Sequence, residues 1–398
     1  MKKQLLSTSA IALGVAMASP AAAQEWNLDW GGFAKTHIGA SDVDVDANTA
    51  KAGGDFDGVN VYTNSEIIFS PSVTLDNGLT FGFSVQFEAL NSSSDNEIDE
   101  SYVTIEGDML GKIVLGSENS AGYALMGSVY TPGVDQMALN SHSTSAFVPV
   151  TGSGGFRQAA LSSLTEVAGN NDVQRISYFT PSFNGLTLGV SYAPSSSGNA
   201  SNNSPVDFDA ESDVTDIFDI GVGYKQTFGT VDLGLAARWG TGSRNATTGA
   251  NAPVNVALDK NNNVVIVDAV GEAAAVGGDP TTWAIGGTLG FGAFTIGATY
   301  AENDSDNPGS IGDQEGYSIG ATYDLVGPWS IGAETYQGER DNGPGVTSSD
   351  FEAYKVAASR DLGAGVSWDV YYFYQETNNA LGGSIEGNVI ATAINLSF

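Results

Sequence analysis

The chain has 398 residues, 51 of them glycine, no cysteine and a formal net charge of −32. Without cysteine there is no disulfide framework and no thiol chemistry. The acid excess argues against nucleic acid and anionic membrane surfaces as partners. Beyond the first segment no run of about 20 apolar residues occurs, which excludes a transmembrane helix.

Residues 1–23 have the layout of a secretory signal peptide. Lys2 and Lys3 make a basic start, Leu5 to Ala18 an apolar run, and Ala21-Ala22-Ala23 a small-residue site before Gln24. Cleavage is expected between Ala23 and Gln24. It would remove two lysines and no acids, leaving residues 24–398 as one still more acidic domain.

From Trp26 onward the dominant period is two. Leu79, Phe81, Phe83, Val85 and Phe87 alternate with Thr80, Gly82, Ser84, Gln86 and Glu88. Ile390, Thr392, Ile394, Leu396 and Phe398 share one face of the last segment. Such alternation makes strands with one apolar face and one polar or small face. Sixteen segments fit, starting near Trp26, Val59, Leu79, Glu100, Gly111, Val173, Leu186, Ile217, Val231, Thr281, Phe294, Gly316, Trp329, Phe351, Val366 and Ile385. Val254–Leu258 and Val264–Val267 are too short to span a bilayer and read as a hairpin within a surface loop; eighteen strands is the alternative.

The joints between segments alternate in length. Asp76-Asn77-Gly78, Asn184-Gly185, Phe228-Gly229 and Phe291-Gly292 are tight-turn sequences, because glycine and asparagine accept positive φ. Every second joint is long, polar and acidic. Aromatic residues gather at strand ends, Trp26, Trp30, Tyr178, Trp239, Trp283, Tyr336 and Phe398 among them. This predicts an all-β fold: a 16-stranded antiparallel transmembrane β-barrel with short periplasmic turns and long extracellular loops. A sheet in lipid must close, and sixteen strands leave an aqueous lumen.

One joint, residues 119–172, far exceeds ordinary loop length and carries apolar runs of its own, Tyr123–Met126 and Phe156–Leu164. It is expected to fold into the barrel and narrow a pore.

Three stretches carry a family resemblance. They are RISYFTPSFNGLTLGVSYAP (Arg175–Pro194), ESYVTIEGDMLGKIVLGSENSAGY (Glu100–Tyr123) and the terminal NVIATAINLSF. They resemble the trimeric general porins of Gram-negative outer membranes, particularly the alphaproteobacterial type. The resemblance implies passive diffusion of small hydrophilic solutes and ions, a homotrimer with three channels, and an inward-folded third loop. It also implies outer-membrane lipid and lipopolysaccharide as neighbours, and the barrel assembly machinery as a partner through Phe398. A Pro-Glu-Phe-Gly-Gly motif is frequent in that family's third loop. Here Pro132-Gly133-Val134-Asp135 is the nearest text and lacks the glutamate.

A selective waist needs opposed fixed charges. Alternation places Lys35, His37, Arg175, Lys225 and Arg238 on polar faces, and Arg157 lies in the insertion. Lys35, Arg175 and Arg238 are expected on the wall opposite the loop. Glu118 and Asp135 are the preferred acids; Glu166 on the insertion and Glu66 and Glu88 on the wall are further candidates. The acid excess predicts mild cation selectivity. No cofactor is required, but Asp304, Asp306 and Glu315 partly match the spacing of a calcium loop, with Pro308 at the fifth position. Asp42, Asp44 and Asp46 form a second acidic cluster. A substrate-selective channel is one competing reading. A barrel enzyme is another, but it would rest on only two histidines, His37 and His142.

Overall fold

The computed structural model describes residues 25–49, 51–90, 98–129, 131–137, 139, 142–149, 167, 172–196, 214–244, 255–258, 264–268, 278–305, 313–341, 348–378 and 383–398. Residues 1–23, with the expected cleavage at Ala23 and Gln24, lie outside these, as do Arg157, Glu166 and Asp306.

The strands are β1 (Asn27–Val45), β2 (Gly58–Thr74), β3 (Thr80–Leu90), β4 (Ile98–Gly107), β5 (Gly111–Ser117), β6 (Gln174–Phe179), β7 (Leu186–Ser195), β8 (Val214–Phe228) and β9 (Val231–Arg244). Then follow β10 (Asn255–Leu258), β11 (Val264–Asp268), β12 (Thr281–Phe291), β13 (Phe294–Asp304), β14 (Gln314–Asp324), β15 (Trp329–Arg340), β16 (Ser349–Gly363), β17 (Val366–Asn378) and β18 (Ser384–Ser397). Among the described residues no helix is long and apolar enough to cross a membrane.

Sixteen strands form one closed antiparallel barrel in which sequence neighbours pair, β9 pairs with β12, and β18 returns to β1. β10 and β11 pair only with each other. The barrel is therefore sixteen-stranded, and these four- and five-residue pieces belong to a loop.

The turn chemistry is as expected. Asn184 and Gly185 have φ of 48° and 87°, the consecutive positive values that a two-residue primed turn needs. Closure runs from Phe33 opposite Ser397 to Val45 opposite Ile385. Beyond it, the Gly32 N–H donates to the Phe398 carbonyl at 3.0 Å and the Phe398 N–H donates back at 3.1 Å.

The outer face is apolar. Trp30, Val61, Ile67, Phe83, Trp239, Ile285 and Ile390 are exposed. Trp30 lies 4.4 Å from Phe69 between ring centroids, and Trp239 faces Trp283 in register. Tyr336 departs from the expected aromatic girdle. It is 1% exposed and packs inward on Phe351, at 5.5 Å between centroids. Its parity puts it on the same face of β15 as Glu334, the inner one. The wall is also uneven: β1 has 19 residues, β5 seven and β6 six.

Ile390 sits mid-strand on β18 and is 66% exposed. Ile390→Arg puts a charge into lipid and should destabilise the inserted barrel by about 2–4 kcal/mol. Urea titration of vesicle-folded protein, read by heat-modifiable gel mobility, measures this; an unchanged midpoint would mean that Ile390 does not face lipid.

Candidate functional site

The central insertion starts and ends on the barrel wall. The Ser117 hydroxyl donates to the backbone carbonyl of Asp172, closing the loop's two ends. A short helix, α1 (Ala121–Met126), follows. Ser120 caps it, its Oγ accepting the Tyr123 N–H at 3.1 Å. First-turn N–H groups of a helix have no partner within it. Here the barrel supplies them. The Ala121 N–H donates to Ser191 Oγ on β7 at 3.0 Å, and the Gly122 N–H donates to Asp219 Oδ1 on β8 at 2.6 Å.

The chain then runs along the inner wall. Met126 and Val129 bury themselves among Ala236, Ala284 and Ala301. The Thr131 hydroxyl meets those of Thr299, at 3.2 Å, and Ser318. Met137, Leu139, Phe147 and Val148 join Phe351, Tyr371, Phe373, Ile385 and Val389 in the largest buried cluster. Asn60 on β2 donates to the Ala146 carbonyl at 2.5 Å, and Gln375 on β17 donates to that of Val148 at 3.1 Å. Ordering each loop residue costs about 1–2 kcal/mol of backbone entropy. A neutral hydrogen bond returns only about 0.5–1.5 kcal/mol. Burying a large apolar side chain contributes about 1.5–3 kcal/mol, so packing on the wall, more than hydrogen bonding, holds the loop.

One ion cluster reinforces it. Lys355 Nζ on β16 lies 2.9 Å from Asp135 Oδ1 and 2.6 Å from Glu334 Oε1, all three side chains being largely buried. The same ammonium donates to the Met137 carbonyl. Beside it, Asp369 accepts from Ser359 Oγ and Asn395 Nδ2, both at 2.6 Å, and from the Gln136 N–H at 3.3 Å.

The expected waist charges are therefore not equivalent. Lys35 points into the lumen from β1, half-buried, its Nζ 4.5 Å from the Phe33 ring centroid. Arg175 and Arg238 are buried, and Arg238 lies under the loop with its guanidinium 5.8 Å from the Tyr123 ring. Alternation identifies their face but not what covers it, so the expectation that Arg238 stands opposite the loop is corrected. Asp135 is tied to the wall by Lys355 and does not face open water. Glu118 stays half-buried near Glu100 and Tyr102, and burial pushes its carboxyl above the usual carboxylate range. His37 is buried, its Nδ1 2.8 Å from the Tyr371 hydroxyl.

Lys355, Glu334, Asp219 and Asp369 were missed as site residues. Lys355 carried a readable signal: it is a lone cation on the same strand face as Phe351 and Ala353, an apolar face where a charge must be paired.

Of the calcium candidates, Asp304 and Glu315 are described and Asp306 lies outside the described residues. Asp304 ends β13, and Glu315 on β14 accepts from the Tyr300 hydroxyl at 2.6 Å. Among the described residues no group of three or more His, Cys, Asp or Glu is placed to hold a metal.

A family model described as Gram-negative porin matches residues 7–380. No curated protein matches the sequence. Three solved structures share the fold at low identity. OmpT, an outer membrane protein of Vibrio cholerae in trimer form, has 12% identity and a TM-score of 0.57, covering 94% of this chain and 99% of that one. OmpF of Salmonella typhi, in complex with daunomycin, has 14% identity and a TM-score of 0.57, covering 94% and 98%. The outer membrane channel DcaP of Acinetobacter baumannii has 10% identity and a TM-score of 0.58, covering 94% and 97%. With its closed sixteen-stranded wall and internal loop, the chain is an outer-membrane channel for passive diffusion and belongs to the Gram-negative porin family.

Proposed function

We propose that the channel is mildly cation-selective and works as a homotrimer. One observation carries the selectivity. Glu66, Glu88, Asp99 and Glu118 remain partly exposed on one side of the lumen, whereas Arg175, Arg238 and Lys355 are buried. Glu66 faces Glu88 in register, and Asp99 and Glu118 share their electrostatic neighbourhood. The half-buried Lys35 stands against these four carboxylates, so a permeating solute meets net negative charge. Fixed charge of one sign at a narrow passage favours the opposite ion. Glu118 and Lys35 are thus the waist residues in this reading, and Asp135 is a loop anchor.

The uneven wall supports assembly. At about 3.3 Å per residue and 40° tilt, seven residues rise only about 18 Å, against an apolar band of about 25 Å. β5 and β6 are too low to meet lipid alone, yet Leu115 and Ile176 on them point outward and exposed. A second copy of the chain would cover this low sector. The trimer form of the similar Vibrio cholerae OmpT points the same way.

In a planar bilayer with a salt gradient, the reversal potential should show potassium preferred over chloride. Glu66→Gln with Glu88→Gln should shrink that preference, and Lys35→Glu should enlarge it. Because the Glu118 carboxyl is raised, its charge is lost at a higher pH than that of an ordinary glutamate, so the preference should weaken early on acidification. Clear chloride preference at neutral pH would sink the proposal.

Lys355→Met strands Asp135 and Glu334 as neighbouring buried carboxylates, and removing one partner of a buried pair costs about 3–5 kcal/mol. We expect a lower thermal midpoint and a noisier open current, both restored when Asp135→Asn and Glu334→Gln are added. A quiet, stable Lys355→Met channel would remove the anchoring role.

A further inference from the structure

Several glycines on the inner wall lie directly under the loop, and six of them mark its path: Gly221 on β8, Gly286 on β12, Gly297 on β13, Gly320 on β14, Gly332 on β15 and Gly387 on β18. None has a φ in the left-handed range, so their backbones do not require glycine. A glycine in a strand interior costs about 0.5–1 kcal/mol relative to alanine, and what it provides here is space. A Cβ on Gly221 would stand 2.8 Å from Gly122 Cα; one on Gly286, 3.1 Å from Val129 Cγ2 and 2.7 Å from Thr299 Cγ2 of the neighbouring strand; one on Gly297, 2.8 Å from Pro132 Cδ. On Gly320 it would stand 2.7 Å from Thr131 Cγ2 and run into the Pro132 carbonyl oxygen. On Gly332 it would stand 3.2 Å from Val134 Cγ1, and on Gly387 2.7 Å from Val148 Cγ2.

The loop residues met in this way, from Gly122 to Val148, advance in the same order as the strands beneath them. The glycines therefore form a continuous lane that follows the loop's path around the wall. Gly290, also on the inner face of β12 but away from the loop, has ordinary room: its Cβ would meet nothing closer than Asp232 Cβ at 3.5 Å.

We propose that this lane sets the bore of the channel. The six glycines are specificity-determining positions that fix the largest solute admitted, because each lets the loop lie about one methyl group closer to the wall and leaves that width to the lumen. At Gly221 and Gly320 the obstacle is loop backbone, which cannot rotate aside, so any added side chain must displace the loop toward the axis.

The test uses detergent-purified, heat-modifiable protein carrying Gly221→Ala, Gly320→Ala or both. Single-channel conductance should fall in each single variant and about twofold in the double one, since conduction follows the width of the narrowest section. Liposome swelling should slow more steeply for larger sugars than for small ones. Gly290→Ala should leave both readouts unchanged. Unchanged or raised conductance in Gly221→Ala and Gly320→Ala, beside a conducting wild type, overturns the proposal. If neither variant folds, Gly332→Ala, whose Cβ would stand 3.2 Å from the Val134 side chain and 3.3 Å from the Ala321 carbonyl oxygen, is a milder insertion and carries the same test with the same two outcomes. A folded wild-type protein that does not conduct would instead count against the channel itself.

Discussion

Every peptide group of the wall must find its hydrogen bond inside the sheet, because lipid offers none. From that constraint follow the closure of β18 on β1 and the confinement of irregular backbone to loops and lumen. It also explains why so little of the wall's character depends on particular side chains. The outer face needs only apolar residues at every second position, and the tight turns need only Asn-Gly or a single glycine to reverse the chain.

The same constraint turns inside out at the insertion. A loop in a water-filled barrel could remain hydrated, yet this one is pressed against the wall by Met126, Val129, Met137, Phe147 and Val148. The inner faces of β15–β18 answer with Tyr336, Phe351, Phe373, Ile385 and Val389, so part of the barrel has a conventional protein core on its inner side. The Asp135–Lys355–Glu334 cluster is a charged group set into the edge of that core. Its charges are largely spent on one another.

Much of the fold was legible in the sequence, because period two, turn residues and joint lengths are local signals. They yielded sixteen strands, with each start within a few residues of its place. The insertion's ends, next to Ser117 and Gln174, were legible for the same reason. The inner face was legible only as a face. Alternation put Lys35, Arg175 and Arg238 on the lumen side, but burial there depends on which loop residue lies above each, and that is a contact between distant segments. Tyr336 was misread because its place near a strand end outweighed its parity. Asp219 and Asp369 carry no local signal, since each acts by accepting a hydrogen bond from a loop more than ninety residues away.

The seam between β1 and β18 joins the first of the sixteen wall strands in chain order to the last. Its paired residues, such as Phe33 and Ser397, are separated by nearly the whole chain. Without β18 docked, β1 has a partner on one side only, and its other edge is an unpaired row of backbone groups along a nineteen-residue strand. Contacts of such separation also form slowly. An unpaired β1 edge would invite a second copy, and Asp42 and Asp44 put like charge on that edge, which opposes edge-to-edge pairing of two chains.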